Sequence, residues 1–128
     1  MPDSLKERPL KQHGFAHLLA ATRYSLSGLR HLLGETAFRH ELMAGGAMAC
    51  LLALAGASAG QLVAFAILVL ATLCVEALNT ALEQIVDRLS PDYSEFARVT
   101  KDLGSFAVMC LLLANGLFAA WVLWTALW

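Results

Sequence analysis

Apolar residues run without a single charge from Leu42 to Val75, and again from Leu103 to Trp128. Uncharged runs of about 18 residues or more are transmembrane candidates, and one helical span needs ~20. The first run is too long for one span. It contains Gly56-Ala57-Ser58-Ala59-Gly60-Gln61, whose glycines and polar residues suit a tight connection. The pattern therefore predicts transmembrane helices over about 38–56, 61–89 and 98–127. The second is roughly 40 Å long at 1.5 Å per residue, more than a ~30 Å hydrocarbon core. Its polar end, stopped by Ser90-Pro91-Asp92, must emerge. Upstream, Phe15, Leu18, Leu19, Leu26, Leu29 and Leu33 recur at helical spacing, with His17, Arg23, Arg30 and His31 among them. That predicts an amphipathic helix over 15–33, lying in the membrane interface or packed on the body of the protein. Gly34 offers the break that follows. Residues 1–14 read as a flexible tail without the features of a signal peptide. The predicted fold class is all-α integral membrane: three transmembrane helices plus an N-terminal amphipathic surface helix, in one domain over 15–128.

Composition agrees with that reading. The chain is 59% hydrophobic with a mean hydropathy of +0.63, against ~45–50% apolar residues in soluble domains. The net charge is −1, and no nucleic-acid partner is expected. The charge distribution says more. All nine Lys and Arg precede or open the first span or flank the connection between the second and third, and the Gly56–Gln61 turn has none. The positive-inside rule then puts the N-terminus in the cytoplasm and the C-terminus outside the inner membrane. Trp121, Trp124 and Trp128 fall at the far end of the third span, as boundary tryptophans do. Cys50, Cys74 and Cys110 lie in apolar runs at spacings that fit no metal motif. They read as small buried apolar residues.

The second span ends in Glu76-Ala-Leu-Asn79-Thr-Ala-Leu-Glu83-Gln-Ile-Val-Asp87-Arg88. At about 100° per residue, Glu76, Glu83 and Asp87 share an arc of about 40°. For Asp87 the plain reading is a solvated helix end. Glu76 lies only about 22 Å along the helix from Gln61, at or inside the hydrocarbon boundary. Ionisable groups there are expensive and usually face a protein interior or an aqueous cleft. Glu35, Arg39 and Glu41 open the first span, and Lys101, Asp102 and Ser105 open the third. Carboxylates for a divalent metal, a base for a hydroxyl and a cation for phosphates are what phosphoryl transfer needs, although no P-loop is present. The chemistry alone leaves two readings. One is an enzyme acting on a polar head at the interface, and the other a small proton- or ion-coupled transporter. The bare middles of the first and third spans favour the enzyme. A purely structural subunit leaves Glu76 unexplained.

The stripe resembles the Glu-x-x-Asn-Ser/Thr-x-x-Glu-x-x-x-Asp signature of the small prokaryotic diacylglycerol kinases, a family that includes undecaprenol kinases. Glu35-Thr-Ala-Phe-Arg39-His-Glu41 is similar to the family's acid-x-x-Phe-Arg segment. Lys101-Asp102-x-Gly104-Ser105 is similar to its Lys-Asp-x-Gly-Ser/Ala, and Tyr24-x-x-x-Gly28-Leu29 to its surface-helix pattern. The likeness covers about residues 15–128. It implies a homotrimer that uses ATP and Mg²⁺ to phosphorylate a lipid alcohol, diacylglycerol in one branch and undecaprenol in the other. By resemblance Glu76 is the catalytic base and Asn79 its neighbour in the site. Glu35 and Glu83 hold the metal. His17, Tyr24, Glu35, Glu83, Asp92, Tyr93, Ser94, Lys101 and Asp102 contact ATP. Ala37, Phe38, Arg39, His40, Glu41, Glu76 and Ser105 lie by the lipid. The chain departs from the pattern at His17, where many relatives have arginine, at Ser94, where many have histidine, and at Thr100, where alanine is usual. The segment from Gly28 to Glu35 is also a residue shorter than in the common Gram-negative type.

Overall fold

The computed structural model describes residues 14–128. The tail expected over 1–14 lies, apart from Gly14, outside the described residues. The described chain is all-helical, with α1 (Phe15–Leu32), α2 (Thr36–Leu54), α3 (Ala59–Leu89) and α4 (Glu95–Leu127). It divides into two units at Gly34 and Glu35. The first contains α1, which has no buried residue. Leu18, Leu19 and Tyr24 are among its exposed side chains.

In the second unit, α2, α3 and α4 pack as an antiparallel bundle. α3 is the shared element, making most of its contacts with α4 and fewer with α2, while α2 and α4 barely touch. The turn between α2 and α3 is built by its sequence. Gly56 takes a φ of 91°, the left-handed conformation that costs glycine nothing. Around it the Gly56 N–H donates to the Ala53 carbonyl at 3.1 Å and the Ala57 N–H to the Leu52 carbonyl at 3.0 Å, a Schellman ending. Ser58 then starts α3 with a reciprocal cap. The Gln61 N–H donates to Ser58 Oγ, and the Ser58 N–H donates to Gln61 Oε1 at 2.8 Å. The cap brings the start of α3 to Ala59, two residues before the expected 61. Ser94 does the same for α4 by accepting from the Ala97 N–H at 3.1 Å. α4 therefore begins at Glu95 and not near 98, with the Glu95 carboxylate at the positive end of the helix dipole.

The packed core is small and lies at the tryptophan end. Leu52, Phe65, Ala119 and Val122 form it, each no more than 3% exposed. The Phe118 ring stacks on Phe65 and meets Trp121 at a tilt. Deeper along α4, Asn115 Nδ2 donates to Thr72 Oγ1 at 2.8 Å and to the Leu111 carbonyl at 2.7 Å, tying α4 to α3. Such bonds hold helices together where hydrocarbon offers no partner. The outer surface is apolar: Ile67, Leu70, Leu113 and Leu117 are each more than half exposed. α3 and α4 are both long and apolar enough to cross a membrane. α2 has 19 residues and opens with Arg39, His40 and Glu41, and it does not meet that measure. One sequence reading needs correction. Cys50, Cys74 and Cys110 are exposed on the bundle, not buried in it. An apolar position in a membrane helix can be hidden by lipid as well as by protein, and composition does not separate the two.

Candidate active site

The polar stripe of α3 begins inside the bundle. Glu76 is 6% exposed, and with Thr72 it makes up the buried polar residues among those described. Thr72 is satisfied by its own helix, donating to the Leu68 carbonyl at 2.9 Å. Glu76 lies within electrostatic reach of Glu83, Glu35 and Glu41. Two helices thus gather four carboxylates. Glu35 is the N-cap residue of α2, Glu41 lies about one and a half turns into it, and Glu76 and Glu83 lie on α3. Like charges in partly apolar surroundings repel strongly, so this cluster favours a proton or a cation among its members.

Asn79 stands between the two α3 carboxylates in the sequence and bonds to one of them. Its Nδ2 donates to Glu83 Oε1 at 3.3 Å. Its Oδ1 is buried with no hydrogen-bond partner, and so is one oxygen of Glu41. Buried acceptors left unpaired are uncommon and need an explanation. α4 passes closely here. A Cβ on Gly104 would collide with the Asn79 carboxamide and come to 3.4 Å from Leu82. The glycine of the Lys-Asp-x-Gly segment thus lets α4 approach the stripe.

The rim is exposed and ion-paired. Lys101 Nζ meets Asp87 Oδ1 at 2.5 Å, joining α4 to α3, and it lies within reach of Glu83 as well. Asp102 is held by Arg98 at 2.8 Å, and Arg98 also pairs with Glu95 at 2.5 Å. In the α3–α4 connection, Ser90 Oγ donates to the Asp92 carbonyl at 3.2 Å and shares a hydrogen bond with Ser94 Oγ at 2.8 Å. Tyr93 is exposed.

The fold therefore draws Glu35, Glu41, Glu76, Asn79 and Glu83 together, with Lys101 at their upper edge. Others lie apart. Asp102 is taken up by Arg98, and the Ser94 hydroxyl caps α4. Ala37, Arg39, His40 and Ser105 are exposed, while Phe38 is buried at 3% and acts as a packing residue. His17 and Tyr24 are exposed on α1, in the other unit. The sequence reading gave no role to Thr72 and Asn115. The signal lies in the sequence, since Asn115 is a lone carboxamide in an uncharged run and an amide there needs a partner.

The residues also bear on a metal. Among the described residues, no three His, Cys, Asp or Glu side chains come close enough to hold an ion between them. Mg²⁺ seldom has an all-protein cage; it is usually bound through one or two carboxylates, with substrate phosphates and water completing the shell. Hard oxygen donors on two helices, Glu35 and Glu83, fit that manner of binding.

The carboxylates thus lie at one end of apolar helices, with Glu76 buried and Asp87 and Asp102 exposed. Comparison with known proteins names the group of enzymes. The family described as prokaryotic diacylglycerol kinase matches residues 23–123. A diacylglycerol kinase of a Sinorhizobium species is 54% identical over 112 residues, covering 88% of this chain and 82% of that protein. The diacylglycerol kinase of Haemophilus influenzae is 35% identical, covering 84% and 92% of the two chains. That of Escherichia coli K12 is 33% identical, covering 88% and 93%. The chain belongs to the prokaryotic diacylglycerol kinase family. It is a lipid kinase by that membership.

Proposed function

We propose that the protein transfers the γ-phosphoryl group of ATP to the hydroxyl of diacylglycerol, giving phosphatidic acid and ADP, at the cytoplasmic face of the inner membrane. The observation that carries the proposal is buried Glu76 on the same α3 face as the better solvated Glu83, about two turns away. A base at the apolar boundary and a metal-holding acid nearer water suit one lipid and one aqueous substrate.

Glu76 accepts the proton of the lipid hydroxyl as its oxygen attacks the γ-phosphorus, and the bond to the β-phosphate oxygen breaks. Asn79, whose amide donates to Glu83, orients that carboxylate, and its unpaired oxygen is free to meet the substrate. Glu35 and Glu83 would hold the magnesium of Mg-ATP, which neutralises phosphate charge when bound. Lys101 supplies a side-chain cation for the phosphates. Its present partner, Asp87, is 62% exposed, and exposed pairs are worth only about 0–1 kcal/mol, so exchange costs little. Asp92 and Tyr93 supply nucleotide contacts from the α3–α4 connection, and Asp102 becomes available if Arg98 turns to the nucleotide. His17 and Tyr24 extend the nucleotide set from α1. Ala37, Arg39, His40, Glu41 and Ser105 border the lipid head.

The same reading makes α2 the third span, despite the charges at its start, with the N-terminus inside, the C-terminus outside and three copies in the assembly. Its support is family membership and the one-sided Lys and Arg. The test is purified protein with Mg-ATP and a panel of lipid alcohols. Turnover of dioleoylglycerol well above undecaprenol is the expected result. The reverse order moves the protein to the polyprenol branch, and turnover of neither removes the proposal.

A further inference from the structure

Glu76 is bracketed by two contacts between α3 and α4. One turn above it, Asn79 lies against Gly104. One turn below it, about 6 Å along the helix, Thr72 Oγ1 accepts from Asn115 Nδ2 at 2.8 Å. Both contacts belong to one antiparallel register. From the tryptophan end upwards, Gln61 meets Thr125, Thr72 meets Asn115, Asn79 meets Gly104 and Asp87 meets Lys101. As the α3 position climbs, its α4 partner descends in step. The neighbourhood of Glu76, between Thr72 and Asn79, is therefore set by where α4 sits along α3.

Apolar packing leaves that register loose at one level. The core of Leu52, Phe65, Ala119 and Val122 fixes the tryptophan end. Next to it a cavity of about 180 Å³ lies between α2, α3 and α4, with Thr72 and Asn115 in its lining. Side chains beside empty space do not interlock as those of a filled interior do. Asn115 supplies a directional tie there. Its amino group reaches the Thr72 hydroxyl and the Leu111 carbonyl at 2.7 Å, and Thr72 in turn donates to the Leu68 carbonyl at 2.9 Å. A carbonyl only accepts, so the amino group must face Leu111, and the amide oxygen is left buried without a partner. An apolar pair of the same shape would leave no group unpaired. The amide is thus a costly way to join two helices, but a selective one. A lone Asn in an apolar helix contact fixes register at the expense of stability.

We infer that Asn115 is a positioning residue: through Thr72 it sets the register of α4 on α3 at the level of Glu76, and with it the place of the Glu76 carboxylate relative to the lipid hydroxyl. The inference rests on the proposed lipid phosphorylation and adds a residue that acts through another side chain, one turn below the carboxylate cluster.

The test removes the tie and keeps the bulk. Asn115→Leu and Thr72→Val retain the shapes and lose the bond. Each is expected to lower kcat for dioleoylglycerol about tenfold or more, since a misplacement of about 1 Å set up away from the chemistry can cost ~10²-fold. The KM for Mg-ATP should stay near the wild-type value. The melting temperature in detergent should not fall, because such bonds add little stability in a membrane protein. The double variant should be no slower than the slower single one, as for two groups in one interaction. Thr72→Ser keeps the hydroxyl and should keep kcat. Thr125→Val is the control. Thr125 accepts from Gln61 and donates to the Val122 carbonyl, the same arrangement as Thr72, but at a level about 22 Å from Glu76, and its loss should leave kcat unchanged. Wild-type kcat in Asn115→Leu, or an equal loss in Thr125→Val, overturns the inference. So does a fall in melting temperature that parallels the fall in kcat. A second measurement does not need turnover. Spin labels at Leu78 and Leu103, exposed on α3 and α4 beside Asn79 and Gly104, report the register in protein diluted with unlabelled copies. Their distance should shift or broaden in Asn115→Leu and stay as it is in Thr125→Val. An unchanged distance in Asn115→Leu sinks the inference. If wild-type protein phosphorylates no lipid alcohol, it is the proposed function that fails, and the spin-label distances still decide the register.

Discussion

Replacing Glu76 with glutamine changes one oxygen for one nitrogen and keeps the size of a side chain that is only 6% exposed. Two consequences follow from that position. The first is chemical. An amide cannot take the hydroxyl proton, and at a site closed to solvent, water is a poor substitute. A positioned base contributes typically 10²–10⁴-fold, so turnover should fall at least ~100-fold, or about 2.7 kcal/mol at 1.36 kcal/mol per factor of ten. The second is structural and has the opposite sign. Glu35, Glu41 and Glu83 are all within electrostatic reach of Glu76, so removing its charge relieves like-charge repulsion in a setting of low polarity. The variant should melt no lower than the wild type in detergent. The assay is phosphorylation of dioleoylglycerol at saturating ATP, with the KM for Mg-ATP and the melting temperature taken on the same preparation. Lost turnover with kept or raised stability is the expected pair. Wild-type turnover would refute the base assignment. Lost turnover together with lost stability would show that Glu76 holds the bundle and would leave its chemistry unproven.

Three other outcomes can be checked. Glu35→Gln and Glu83→Gln should each raise the Mg²⁺ and ATP concentrations needed for half-maximal rate while leaving the bundle folded, and unchanged magnesium titrations would take both out of the metal role. Gly104→Ala should displace Asn79 and cut turnover without touching the tryptophan-end core, so near-normal turnover would separate Asn79 from the reaction. A cysteine at Ser58, in a background without Cys50, Cys74 and Cys110, should react with impermeant reagents only from the outer side of the cytoplasmic membrane, and labelling from the cytoplasm would invert the topology.

Much of the helical layout was legible, and for local reasons. Gly56 and the Ser58–Gln61 pair mark a helix end and start in the sequence, and Ser90-Pro91 marks another stop. Boundaries drifted where a cap decides them. Ser94 moves α4 back to Glu95, and a serine in a loop does not announce which amide it will accept. The alignment of Glu76 with Glu83 could be read from spacing, because one helix carries both. What spacing could not give is convergence between helices. That Gly104 makes room for Asn79, that Lys101 takes Asp87 for its partner, and that Asn115 reaches Thr72 depend on the register between α3 and α4. Phe38 shows the same limit. It stands in a motif rich in polar groups, yet its ring is buried and packs.

The two ends of the bundle are built on different terms. At the tryptophan end Leu52, Phe65, Ala119 and Val122 close on one another, with Gln61 also donating to Thr125 at 3.4 Å. At the other end α3 and α4 meet through Asn79 beside a glycine and through the Lys101–Asp87 ion pair, and pairs exposed in this way are weak. Packing at one end can therefore hold α3 fixed while the other end exchanges partners, and a kinase that must admit and release two substrates needs that freedom. It follows that charge-neutralising substitutions in the stripe should cost activity before stability. Enlarging or shrinking Leu52 or Val122, both fully buried, should do the reverse, because interiors at that density feel the change of even one methylene. A thermal-stability and turnover measurement on Val122→Ala beside Glu83→Gln tests the division: the first should lower the melting temperature with turnover kept at low temperature, and the second should keep the melting temperature with turnover lost.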